Sequence, residues 1–350
     1  MNDSIRVLMV TSEWPTAERP HAVPFVVHQV DFLRRAGVQV DLFYFRGAQS
    51  PVRYLKAWRQ LRKQFRLGDY HLFHAQFGQS AVLHWPSSLP LVVTLHGDDI
   101  LGVKNEGGRT TLKGRLLQQF LRLISRRAGA VIIVSDQMRS HIPRSVPLHL
   151  LPTGVDIESL PTMSKAEARR QLGLAEEGRL VLFVGNPADP YKRHVLAEQA
   201  MNELRRETPA ELVVGWNRTH HEILVLMQAA DVLLVTSSQE GSPTVVKEAL
   251  ASNLPIVSVA VGDVVKRLQG VEGCEIADAS PEALAKSLAR ILKRGRRTNG
   301  RESVRELDEN VLTGRLIEIY RSVIKSARGQ RGTRQVLPPR EKQTQAKAAR

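Results

Sequence analysis

The amino-acid sequence predicts two doubly wound α/β domains, each built on a parallel sheet, facing one another across a central cleft. Three observations predict this. The chain has 350 residues, which at roughly 100–200 residues per domain is enough for two cores. Short β-branched runs alternate with helical patterns in both halves, and those runs are apolar almost throughout, as strands covered on both faces are. A turn cluster, Pro152-Thr153-Gly154-Val155-Asp156, follows directly on an apolar run near mid-chain, where a change of domain belongs.

The elements follow in order. Ile5-Arg6-Val7-Leu8-Met9-Val10 reads as a strand, Val26 to Ala36 as a helix ended by Gly37, and Val38 to Phe45 as a second strand. Leu91 to Leu95, Val131 to Val134 and Leu148 to Leu151 continue the first sheet, with a helical stretch from Leu112 to Arg127 among them. The second half repeats the style with Leu180 to Val184, Glu211 to Val214, Val232 to Val235 and Pro255 to Val259. Helices of ten or more residues fill the intervals and supply the crossovers that parallel pairing needs. The first domain is expected over residues 1–152.

Composition removes several classes. Hydrophobic residues make up 42% of the chain, too many for a wholly disordered protein, and no apolar run approaches the ~20 residues of a membrane span. The single cysteine, Cys274, excludes an internal disulfide framework and a multi-cysteine metal site. The run from Ile5 to Val10 is short and contains Arg6, so no secretory leader is expected and the cytoplasm is the expected location. Net charge is +15. Residues 327–350 carry seven cations against Glu341 and no apolar periodicity, and read as a disordered basic tail. The remaining excess lies on the body and points to an anionic partner: nucleic acid, acidic lipid or a phosphorylated substrate. Composition does not choose among them.

In doubly wound domains ligands bind beyond the carboxyl ends of the strands. The loops after Val10, Leu95, Val184 and Val235 are therefore the places to search. The paired-glycine dinucleotide fingerprint, the Walker loop, the nucleophile elbow and the zinc-protease histidine pair are all missing from the sequence. Asp98-Asp99 is an adjacent acidic pair, unlike the spaced pair that holds a metal bridging a diphosphate.

The informative stretch runs from Thr236 to Asn253, after the strand Val232 to Val235. Ser242 reads as an N-cap with Pro243 at the first helical position. The amides of Thr244, Val245 and Val246 then project from a helix start, where the dipole favours phosphate. Glu240 precedes that start and Glu248 lies about one and a half turns inside the helix. Two glutamates spaced this way are ordinarily solvated surface residues; the Gly-Ser-Pro between them, directly after a buried strand, favours a site.

This segment resembles the paired-glutamate motif of glycosyltransferase family 4, whose members are retaining enzymes of the two-domain, Rossmann-like GT-B fold. The resemblance implies that Glu248 accepts the ribose hydroxyls of a nucleotide-sugar, that Glu240 contacts the transferred sugar, and that Gly241, Ser242, Thr244 and Val245 hold the diphosphate. Gly185-Asn186-Pro187 with Lys192-Arg193 is similar to the family's basic donor loop. Lys192 falls where a lysine is usual, Asn186 replaces an arginine, and Arg193 replaces a glycine. His96 in Thr94-Leu95-His96-Gly97-Asp98 resembles the histidine that touches the donor sugar across the cleft. The resemblance thus implies catalytic roles for Glu240, His96 and Lys192, and donor binding by Gly185, Asn186, Lys192, Arg193 and Glu248. Glu13, His21 and Asp98 are expected on the acceptor side. Gly154-Val155-Asp156 resembles the interdomain crossover and Val261-Gly262-Asp263 a further donor loop. The donor domain then covers 153–308, and residues 309–326, with Tyr320, resemble a helix crossing back to the first domain.

The function implied is retaining transfer of a hexose-type sugar from a nucleotide-diphosphate donor, UDP ahead of GDP. The acceptor would be a glycan or lipid-linked molecule, in cell-surface polysaccharide or glycolipid synthesis. No metal and no cofactor is expected. A nucleotide-sugar 2-epimerase shares the fold and is the near alternative. A basic nucleic-acid-binding protein is the contrasting class, disfavoured by 5% aromatic content and the lack of a recognisable binding module. Residues 52–66 place Leu55, Trp58, Leu61 and Phe65 at helical spacing beside Arg53, Lys56, Arg59, Arg62, Lys63 and Arg66, with no acid. Such a helix suits an anionic membrane surface. The same apolar residues would equally pack the helix on its own sheet.

Overall fold

The computed structural model describes residues 4–17, 19, 22–47, 50–97 and 112–334. His21, Asp98 and the tail from 335 onward lie outside the described residues. Two parallel sheets form, as the patterning predicts. The first joins β1 (Arg6–Thr11), β2 (Gln39–Tyr44), β3 (Leu72–Gln76), β4 (Leu91–Leu95), β5 (Ala130–Ile133) and β6 (Leu148–Leu150) in the order β2-β1-β3-β4-β5-β6. The second joins β7 (Leu180–Val184), β8 (Glu211–Gly215), β9 (Val232–Val235), β10 (Ile256–Ser258) and β11 (Cys274–Ile276) in the order β11-β10-β9-β7-β8. Each sheet therefore reverses direction between its first and third strands, and a crevice opens there beyond the strand ends.

Period-two alternation fills both faces of the first sheet. Leu8 and Val10 enter one core layer with Phe73, Val93 and Leu95. Val7 and Met9 enter the other with Leu72, Val92 and Ile132. That second layer is completed from far along the chain. The helix Glu309–Arg334 inserts Leu312, Leu316, Tyr320 and Val323 into it, so the crossing-back helix closes the first domain. At the crossover the two connecting segments pair: Val155 N–H donates to the Leu307 carbonyl at 3.0 Å and Glu309 N–H to the Val155 carbonyl at 3.1 Å.

Three expectations change. β3 was not anticipated, because His74 and Gln76 interrupt its apolar pattern, and the short edge strand β11 was not anticipated either. The last helix continues to Arg334, eight residues past the expected end at 326. Once its docked turns are formed, each added residue gains a hydrogen bond without a new nucleus. The helix Pro51–Gln64 buries Ala57 and Leu61 and packs Trp58 and Phe65 against the first core, so most of its apolar face is used internally. Leu55 alone of the expected face stays outside, 49% exposed.

β3 is buried along its length, and its polar side chains find distant partners. His74 Nδ1 meets the Tyr320 hydroxyl at 2.7 Å and its Nε2 meets the Thr94 hydroxyl at 2.8 Å. Tyr320→Phe would leave a buried ring nitrogen unpaired, at about 1–3 kcal/mol. Urea unfolding should show a lower midpoint with the same slope; an unchanged midpoint would mean that the helix docks by apolar contact alone.

Candidate active site

The loops after β7 and β9 flank the crevice of the second sheet, and backbone bonding sets their shape. Asn186 Oδ1 accepts the Ala188 N–H at 3.0 Å, and Asp189 Oδ1 accepts the Tyr191 N–H at 2.9 Å. These Asx turns, with Pro187 and Pro190, fold residues 185–193 back on themselves. The Thr236 hydroxyl donates to the Lys192 carbonyl at 2.7 Å, and Ser238 N–H donates to the Tyr191 carbonyl at 2.8 Å. The two loops are thereby stitched together. Lys192 Nζ stands 2.6 Å from Glu240 Oε1 as a consequence. Gly185 is required beside it: with φ at +153°, a Cβ there would lie 3.1 Å from Lys192 Cγ.

The helix after β9 begins at Thr244, with Pro243 as N-cap, one residue later than expected, and no side chain caps it. Ser242 is not free to cap because its hydroxyl donates to Asp263 Oδ2 at 2.8 Å. Val246 N–H is taken by the Pro243 carbonyl at 3.2 Å. The amides of Thr244 and Val245 have no carbonyl one turn back within the helix and sit at its positive end. Arg193, just before the helix His194–Arg205, has a left-handed backbone with φ at 49°, the conformation glycine takes most readily. Its guanidinium donates to the carbonyls of Thr236 at 2.5 Å and Ser237 at 3.3 Å.

Glu248 points from the same helix to a cavity of about 280 Å³ between the domains, lined also by His28, Asp31, Asp156 and His220. Its Oε1 meets His220 Nε2 at 2.7 Å. His220 is held at a helix start by a capping box in which Thr219 and Glu222 satisfy one another's backbone amides. Burial opposes charging of His220, but the bond and charge of Glu248, with Asp156, outweigh it and raise its pKa. His28, from the first domain, packs edge-on against His220 at 4.8 Å between ring centroids. Burial, then repulsion from His220, lowers the His28 pKa.

The first domain closes the other side. His96 follows β4, with Nε2 at 2.8 Å from Gln76 Oε1 and its ring between Phe25 and Phe77. Burial, and then the positive charge of Lys247, push its pKa down to about 3. It is a neutral hydrogen-bonding ring at physiological pH. Gln137 Nε2 donates to the Glu240 carbonyl at 3.0 Å across the cleft. Glu13 lies in the exposed loop after β1, 3.9 Å from Arg19.

Glu240, Lys192, Gly241, Ser242, Thr244, Val245 and His96 thus converge on one crevice, with Glu248 one and a half turns along. Asn186 shapes its own loop, and Arg193 lies against the loop after β9. The sequence reading missed His28, His220, Gln137 and Lys247. Only Lys247 carried a signal, a lysine beside Val246 and ahead of Ala249-Leu250-Ala251 on a helix buried nearly all round.

The family model for Glycosyltransferase Family 4 matches residues 3–159, and that for Glycosyl transferases group 1 matches residues 178–294. Each match spans one of the two sheets. The chain is 25% identical over 354 residues to a Bacillus subtilis protein described as a glycosyltransferase of teichuronic acid biosynthesis, TuaC. That match covers 82% of this chain and 89% of the relative. Among solved structures the fold resembles sucrose-phosphate synthase from Thermosynechococcus elongatus, with a TM-score of 0.75, 18% identity, and coverage of 92% and 100%. It also resembles HepE of Anabaena, solved with UDP-glucose, with a TM-score of 0.60, 16% identity, and coverage of 93% and 100%.

The domains touch at Gly241, where a Cβ would lie 2.5 Å from the His96 carbonyl oxygen and 2.8 Å from Met138 Cε. Gly241→Ala should therefore push the two loops apart, destabilising the fold by about 1–3 kcal/mol and weakening ligand binding in the cleft. Thermal melting and ligand titration check this; full stability and full binding would show that the seam yields without consequence.

Proposed function

We propose that this chain, a glycosyltransferase of the GT-B type, transfers a hexose-type sugar with retention from a nucleoside-diphosphate donor, UDP ahead of GDP. The acceptor is a glycan or a lipid-linked molecule of a cell-surface polysaccharide or glycolipid. The observation that carries the reading is the Lys192–Glu240 pair beside the amino end of the helix Thr244–Ala251, with Glu248 on the same helix. The UDP-glucose held by the Anabaena neighbour is in keeping with it.

Glu248 receives the ribose diol, because a carboxylate only accepts and one such group can take both hydroxyls. Its second oxygen is the one not engaged by His220. Lys192 and the amides of Thr244 and Val245 face the diphosphate, with Gly185, Gly241 and Ser242 keeping the backbone close. As the bond to the anomeric carbon breaks, negative charge grows on the leaving diphosphate, and these fixed donors oppose it. The acceptor hydroxyl attacks from the face that the diphosphate leaves, and its proton passes to the departing diphosphate oxygen. Glu240 and neutral His96 orient the transferred sugar between them. Glu13, His21 and Asp98 belong to the acceptor end, and no metal is required.

Incubation with a UDP-sugar and stabilisation by a nucleotide panel test the reading, a ligand at 100 times its Kd adding about 2.7 kcal/mol. Glu248→Ala should raise the Kd for UDP about 10–100-fold, from a charged contact of about 1.5–3 kcal/mol. Unchanged affinity would remove Glu248 from the ribose. Conversion of the UDP-sugar without acceptor would turn the reading towards an epimerase.

A peripheral place on the inner face of the plasma membrane is part of the proposal. Val52, Leu55 and Trp85 are 61%, 49% and 59% exposed. The Trp58 indole N–H donates to the Trp85 carbonyl at 2.5 Å, and Arg127 lies over the Trp85 ring at 4.8 Å. Together with Lys56 and Arg59 this makes an apolar rim flanked by cations, suited to acidic headgroups at about 1 kcal/mol per cation. Among the described residues no helix is long and apolar enough to cross a membrane. Co-sedimentation should require anionic lipid, weaken with salt, survive removal of residues 335–350, and fail in Leu55→Glu/Trp85→Glu. Loss with the tail alone would assign binding there.

A further inference from the structure

We propose that Lys247 is a positioning residue of the donor site, its buried ammonium tying the interdomain crossover at Thr153 to Ser242 and adding a fixed positive charge beneath the diphosphate loop. The inference rests on the donor reading above. Lys247 has no exposed surface. Its Nζ donates to the Thr153 carbonyl at 2.7 Å, to Ser242 Oγ at 3.0 Å, and to the Thr153 hydroxyl. An ammonium has three donors, so all are used, and every direct partner is a neutral oxygen. The compensating carboxylate stands one bond away: Ser242 donates to Asp263 Oδ2, which also accepts from Arg267 Nε at 3.0 Å.

Burying a cation without a contacting anion is unfavourable, and an apolar side chain of like volume would pack a helix more cheaply. The charge therefore acts on something other than the fold. Thr153 also meets the Thr244 hydroxyl at 3.4 Å and donates to the Ser242 carbonyl at 3.3 Å. One ammonium thus fixes the crossover, the loop and the helix start whose amides face the donor. Its charge already reaches the opposite wall, where it helps keep His96 neutral.

The other charged groups facing Lys247 are Glu248 on its own helix, Asp263 and Arg267 after β10, and Glu309 at the start of the last helix. Burial lowers the Lys247 pKa to about 8, and burial raises that of Glu309 to about 7. As pH rises through about 8 the free protein loses the ammonium, so donor affinity falls. A bound anion favours the charged form, so kcat at saturating donor holds to higher pH than kcat/KM. A terminal phosphate loses its last proton near pH ~6, which leaves the charge of UDP constant over the upper range.

Calorimetric titration with UDP from pH 7 to 9.5 tests this on the full chain. Wild type should weaken about tenfold over that range. Lys247→Met should bind about tenfold more weakly at pH 7 and show no further fall, at a melting temperature that confirms folding. Lys247→Arg should keep the affinity at pH 7 and lose the slope, and Glu309→Gln should keep the slope above pH 8. Wild-type affinity in a folded Lys247→Met, or a wild-type slope in it, overturns the proposal. A lowered melting temperature with unchanged binding also overturns it, as a purely structural role. Failure of the wild type to bind UDP or GDP at any pH defeats the donor reading instead.

Discussion

The site depends on a contact of backbone with backbone. Gly241 lies against the His96 carbonyl, and Gly262 lies against Gly241 in turn, its missing Cβ only 2.8 Å from the Gly241 carbonyl oxygen. Loops from both domains can approach this closely only without side chains in the way. The approach puts the crevices of the two sheets face to face. It also carries Gln137 to the Glu240 carbonyl and His28 to His220. The paired crossover segments at Val155 and Glu309 then keep the spacing, one at each end of the donor domain.

The first domain presents a neutral ring at His96, backed by a small buried polar network inside its apolar core. Gln76 joins His96 to Gln29, at 2.8 and 2.5 Å, while His74 joins Thr94 to Tyr320. Such networks in a low-dielectric interior fix side-chain orientation when their members are satisfied. Burial holds His74 at a pKa of about 3, as it does His96. His96 therefore stays uncharged where it faces the loop that carries Glu240.

That charge is sorted by burial. Lys192 is partly open and meets Glu240, Lys247 is sealed beneath the helix start, and Arg193 donates to the Thr236 and Ser237 carbonyls. Three cations around one crevice thus have different tasks. The exposed cations of Pro51–Gln64 lie on a helix whose Val52 and Leu55 the first domain's core did not take.

The sequence by itself determined the strand–helix alternation, the parallel sheets, the two loops that carry Lys192 and Glu240, and the helix that carries Glu248. These are local properties: apolar runs, a proline before a helix, and turn residues at set offsets. What only the tertiary structure decided involves partners far apart in the chain. β3 looks unlike a buried strand until Tyr320 and Thr94 satisfy His74, and Gln29 and His96 meet Gln76. The partners of Lys247, Thr153 and Ser242, and the Thr236 carbonyl that Arg193 meets, lie five to ninety-four residues away and are brought in only by the fold. Membership of the Pro51–Gln64 helix in the core was undecided by its periodicity, since a lipid surface and a sheet ask for the same stripe. A polar or amphipathic side chain has several environments that would satisfy it, and the chain folded around it selects one.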